Sequence, residues 1–131
     1  MGVLRRSKKA GIITMLVLAI AVPGALIGLA HTFEAVSAVT IRYNTDQNQF
    51  QGKVLSDRQA CVRNRTVNVF KALVGADRLI GTATTGEFGF WSLPKADPHG
   101  NYYARVLRRH FGGYGHSHLC LGDRSRVIFV Q

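Results

Sequence analysis

The sequence predicts an all-β domain, a sandwich or barrel, carried behind an N-terminal hydrophobic export helix. Three observations lead there. From Val39 onward, apolar and polar residues alternate in short runs separated by turn-forming residues. No stretch after residue 38 carries a helical period. The chain's two cysteines, Cys61 and Cys120, both lie beyond the apolar leader, where an exported domain would use a covalent staple.

The leader comes first. MGVLRRSKKA holds Arg5, Arg6, Lys8 and Lys9 and no acid, and residues 11–30, GIITMLVLAIAVPGALIGLA, are uncharged. A basic start followed by an apolar core and small residues is an export signal, with its basic end on the cytoplasmic side. Val36-Ser37-Ala38 offers small side chains to a signal peptidase, and Gly28-Leu29-Ala30 is a second choice. Pro23-Gly24 interrupts the run, which favours a removable signal. The run's length of about 20 residues, enough for a bilayer core of ~30 Å, suits a retained anchor instead. The chain therefore divides into residues 1–38, a signal peptide or N-terminal membrane anchor, and residues 39–131, a β-sandwich domain. The domain is expected to be secreted or extracytoplasmic, tethered through the leader if that is uncleaved.

Seven strands are expected between Val39 and Gln131. VTIRY (39–43) places Val39, Ile41 and Tyr43 on one face, and FQGKVLS (50–56) does the same with Phe50, Gly52 and Val54. TVNVFKAL (66–73) turns Val67 and Val69 inward, and RLIGTATT (78–85) comes after a VGAD turn. GEFGFWSL (86–93) pairs Trp91 with Leu93, so Trp91 is expected in the core. NYYARVL (101–107) sets Tyr102, Ala104 and Val106 together, leaving Tyr103 as the most exposed aromatic. HFGGYGHSHLC (110–120) reads as a glycine-rich loop before the closing strand SRVIFV (125–130). Short strands at regular spacing are the pattern of a sandwich or barrel.

The run LPKADPHGNYYA (93–104) resembles the turn and strand of carboxypeptidase regulatory-like domains, which share the transthyretin-like (prealbumin-like) fold. FQGKV (50–54), RTVNVF (65–70) after Cys61, TGEFGFW (85–91) and SRVIFV (125–130) after Cys120 resemble further parts of the pattern in small exported bacterial members. The resemblance covers nearly all of residues 39–131. Gly86-Glu87-Phe88-Gly89 stands where the pattern would carry Asp-Gly. The resemblance implies a seven-stranded Greek-key β-sandwich that supports, binds or spaces and is not itself catalytic.

Chemistry is sparse. An isolated cysteine pair outside the cytoplasm reads as one disulfide, and closing so long a loop contributes about 4 kcal/mol in the chain-entropy model. The alternative is a small metal-binding or hydrolytic domain using His110, His116 and His118. Those imidazoles form an incomplete ligand set, with Asp123 the nearby carboxylate. No nucleophile elbow, phosphate-binding loop or dinucleotide fingerprint is present, and no cofactor is expected. The chain reads as a non-enzyme.

Charge is the stronger signal. Residues 39–131 carry 13 Lys plus Arg against 6 acids. Arg58, Arg63 and Arg65 flank Cys61, while Arg105, Arg108, Arg109, Arg124 and Arg126 flank the loop of Cys120. If a disulfide joins the two, the arginines gather at one end of the domain. Arg63, Arg65, Arg108, Arg109, Arg124 and Arg126 are then candidate contacts for anionic lipid, cell-wall polymer or glycan. Export argues against nucleic acid. A third reading is a module that binds a protein partner along an exposed strand edge.

Overall fold

The computed structural model describes residues 31–131. The expected export helix falls in residues 1–30, outside the described residues.

Twelve strands and one 3₁₀ turn make up the described chain. They are β1 (His31–Ala35), β2 (Ser37–Val39), β3 (Arg42–Asn44), β4 (Gln49–Ser56), the 3₁₀ turn Gln59–Cys61, β5 (Thr66–Lys71), β6 (Arg78–Thr84), β7 (Phe90–Pro94), β8 (Gly100–Val106), β9 (Arg109–Gly113), β10 (His116–Cys120), β11 (Asp123–Arg124) and β12 (Ile128–Val130). No helix among the described residues is long and apolar enough to cross a membrane.

Two sheets form a sandwich. One runs β11-β8-β5-β6, with β12 also on β8; the other joins β2, β3 and β7 to the central β4. The period-2 pattern decides which side chains meet between them. Phe50 and Val54 of β4 face Val67 and Val69 of β5 and Tyr102, Ala104 and Val106 of β8, closed by Val39, Ile41, Trp91 and Val130. Each fully buried apolar side chain of this size contributes about 1.5–3 kcal/mol. Polar side chains pin the edges. Asp123 Oδ2 accepts from the Val39 amide at 2.9 Å, which ties β2 to β11. Ser125 Oγ accepts from the Ala104 amide at 2.9 Å and donates to Arg126 O at 2.8 Å.

A smaller sheet, β1-β10-β9, sits over a second cluster of Ala35, Cys61, Cys120 and Phe111. Cys61 and Cys120 form a disulfide, with Cα atoms 5.4 Å apart and a sequence separation of 59. A structural disulfide of this kind points to an oxidising, extracytoplasmic environment.

Three expectations change. HFGGYGHSHLC is a hairpin rather than a loop: β9 and β10 pair antiparallel from Gly113↔His116 to Arg109↔Cys120. Tyr114-Gly115 makes the reversal, and Gly115 takes φ 85°, a conformation that glycine adopts without a Cβ clash. Residues 31–38 are strand-forming members of the fold: β1 pairs with β10 over five positions, and β2 straddles the 38/39 boundary. Tyr103 is 2% exposed rather than an exposed aromatic. It does lie on the outer face, but Phe70 stacks on it at 5.3 Å, Arg124 lies 3.8 Å from its ring centroid, and its hydroxyl donates to Asp77 at 2.7 Å.

Candidate functional site

The predicted arginines do not share one end. Arg65 is fully buried. Its Nη1 donates to Ser37 Oγ at 2.8 Å and Cys61 O at 2.6 Å, and its Nη2 to Leu107 O and Leu121 O, both at 2.9 Å. One guanidinium thus holds β2, the turn at Cys61 and the chain beyond β8 and β10. Burial, then the nearby Arg109, lowers its pKa. Its terminal nitrogens are taken by the protein's own oxygens, so Arg65 is a structural clamp rather than an anion contact. Arg109 lies over Phe111 at 5.1 Å, and its Nη1 donates to Arg63 O at 3.1 Å. Arg63 and Arg108 are exposed near the disulfide. Arg124 and Arg105 lie on the outer face of the β11-β8-β5-β6 sheet, over Tyr103 and Phe70. Arg126 goes elsewhere, to a cleft on the sheet of β4 and β7.

The histidines do not converge. Register puts His118 opposite Phe111 and His110 opposite Leu119, so His110 is on the face opposite His116 and His118. Phe33 and Phe111 stack on the two sides of His118 at 5.7 and 5.1 Å. Among the described residues no group of three or more His, Cys, Asp or Glu is placed to hold a metal ion.

The cleft has a volume of about 630 Å³, inside the range of roughly 300–1,000 Å³ typical of sites for small organic ligands. It lies where the chain breaks between β2 and β3 and passes Gly52 of β4. Three cations line it: Arg42 from β3, Lys53 from β4 and Arg126 from the β11–β12 connection. No carboxylate among the described residues lines it. Arg42 is braced: with the Gln51 amide oxygen turned toward it, Gln51 accepts from Arg42 Nε at 2.8 Å. Lys53 Nζ sits 4.8 Å from the centroid of Phe90, its cross-strand partner, and Phe90 remains 62% exposed. The buried bonds of Ser125 fix the backbone that carries Arg126.

Trp91 forms part of the lining, and its Nε1–H is buried with no hydrogen-bond partner. Arg65 Nε is the only other such side-chain atom among the described residues. Buried donors are paired in the great majority of cases, so an orphan beside a cleft calls for a reason. Gly52 makes the close packing possible. A Cβ there would run into Thr40 O and stand 2.9 Å from Trp91 Cε2, the atom bonded to Nε1.

Sequence reasoning found Arg126 and placed Trp91 in the core, but it missed Arg42 and Lys53 as a pair. Both alternate outward from apolar neighbours, a signal that also fits any solvated strand face. Only the pairing of β3 with β4, which sets Arg42 opposite Gln51, brings Arg42 to the same cleft as Lys53. Comparison with known protein families, curated proteins and solved structures finds no match.

Proposed function

We propose that the protein is a non-enzymatic extracytoplasmic binding module, a sandwich of the transthyretin-like type, secreted or tethered by its leader, that holds an anionic component of the cell envelope in the cleft of Arg42, Lys53 and Arg126. The observation that carries this reading is the lining: three cations from three separate chain segments, with no acid among the described residues beside them, around a cleft large enough for an organic ligand. Guanidinium forks pair with carboxylate or phosphate in a bidentate way, and a lysine adds a compact charge. Exposed Arg63 and Arg108 add to the positive field that draws such a ligand in.

Trp91 is the only tryptophan of the chain, so its fluorescence reports directly on the cleft. Titration with sodium polygalacturonate should change Trp91 emission saturably. The apparent Kd should rise at least about fivefold between 50 and 300 mM NaCl, as charge contacts are screened. A Kd independent of salt, or no saturable change, contradicts the proposal.

A further inference from the structure

We infer that the ligand of the cleft is an acidic sugar unit, a hydroxylated ring that carries a carboxylate, rather than a bare inorganic anion. The inference rests on the anion-binding proposal and names the chemistry of the same site. It comes from the part of the lining that carries no charge. An inorganic phosphate is satisfied by Arg42, Lys53 and Arg126 alone. It would leave unused most of a cleft of about 630 Å³, a volume suited to an organic ligand of several rings.

Other groups in the cleft match a sugar. Phe90 is 62% exposed, with Lys53 above its ring. An exposed aromatic ring is a platform for the apolar C–H face of a pyranose, and its burial adds affinity that no small anion collects. The Ser92 and Thr84 hydroxyls also line the cleft, and neither makes a side-chain hydrogen bond among the described residues. Each can give and accept one, as a sugar hydroxyl requires. Cations, two free hydroxyls and a largely exposed aromatic ring form a set that neither a neutral sugar nor a simple anion uses in full. A carboxylated sugar uses all of it. Its carboxylate lies with the cations, its ring lies against Phe90, and its hydroxyls meet Ser92 and Thr84.

The test is a panel of three probes measured by calorimetry on the intact protein at low salt: a galacturonate trimer, the neutral trisaccharide maltotriose and inorganic phosphate. The inference predicts that the trimer binds at least about tenfold tighter than either of the others, a difference of about 1.4 kcal/mol. Phe90→Ala, an exposed substitution that leaves the core untouched, should weaken the trimer at least about tenfold and phosphate, which loses only the ring beneath Lys53, by no more than about threefold. Galacturonate monomer binding within about tenfold of the trimer assigns the site to a free acidic sugar; a larger gap assigns it to a polymer. If phosphate binds as tightly as the trimer and Phe90→Ala changes neither, the sugar inference is overturned while the anion-binding proposal stands. If maltotriose binds as tightly as the trimer, or if no probe binds, both are overturned.

Discussion

Arginine does opposite work in two regions of this molecule. At the disulfide end Arg65 is completely enclosed, and its terminal nitrogens are spent on Ser37, Cys61, Leu107 and Leu121. At the cleft Arg42 and Arg126 are exposed on an open wall with no carboxylate among the described residues lining it. The difference comes from the surroundings of each guanidinium. A buried cation is costly unless its donors are met, and neutral carbonyl and hydroxyl oxygens meet both terminal nitrogens of Arg65, leaving only its Nε unpaired. An exposed cation keeps its hydration and can exchange it for an incoming anion. A basic sequence therefore does not mean a basic site, because the same residue type acts as a scaffold in one place and as a receptor in the other.

Substitutions break this comparison most sharply at the scaffold. Arg65→Leu should cost about 3–5 kcal/mol, since it leaves four oxygen acceptors without a donor inside the protein. Denaturant unfolding measures it. Arg65→Lys should recover little, because one ammonium cannot span acceptors on opposite sides of a planar fork. Loss of the disulfide in Cys61→Ala/Cys120→Ala ranks close behind, at about 2–5 kcal/mol for a small exported domain. Gly52→Ala should cost about 1–3 kcal/mol, because the methyl group meets Thr40 O and the Trp91 ring. A wild-type midpoint in that variant would show that the cleft floor can yield.

The cleft should behave differently. Arg42→Gln, Lys53→Gln and Arg126→Gln should each leave stability within about 0.5 kcal/mol, as surface substitutions do, while weakening anion binding. Smallest of all is a pH effect on the outer face. The Tyr103 hydroxyl, then the Leu73 amide, hold the Asp77 carboxyl below its usual range, and the bond raises the Tyr103 phenol. Stability from a depressed carboxyl is present above its unfolded pKa and lost as pH falls through the folded one. The Tyr103→Phe variant should therefore fall below wild type at neutral pH, with the gap closing on acidification below the ordinary carboxylate range. A gap that is constant with pH would show that Asp77 takes no part.

Alternation made the sandwich legible. The inward residues of β4, β5 and β8 could be read directly, because apolar side chains at period 2 leave one choice of core face. The β9–β10 hairpin could not. Its segment is mostly glycine and histidine, and it is held by pairing to β1 and by the disulfide rather than by an apolar stripe. β1 was hidden because HTFEA comes directly after the uncharged apolar run of residues 11–30 and reads as its tail. Tyr103 was placed on the correct face, yet nothing local shows that the chain around Asp77 folds over it. Closeness to a cysteine in sequence also failed as a guide to grouping. Pairing of β11 with β8 sends Arg124 to the outer face, and the connection two residues later delivers Arg126 to the cleft. Strand register is a long-range property, and the candidate site depends on it more than the core does.

The most direct test sets two charge-removal variants against each other. One is Arg42→Gln/Lys53→Gln/Arg126→Gln at the cleft; the other is Arg63→Gln/Arg108→Gln at the disulfide end. Calorimetric affinity for the galacturonate trimer is measured for both, after thermal unfolding has shown each to be folded. The cleft variant should lose at least about a hundredfold in affinity and the disulfide-end variant less than about fivefold. The opposite order, or equal losses, would contradict the assignment of the cleft as the binding site.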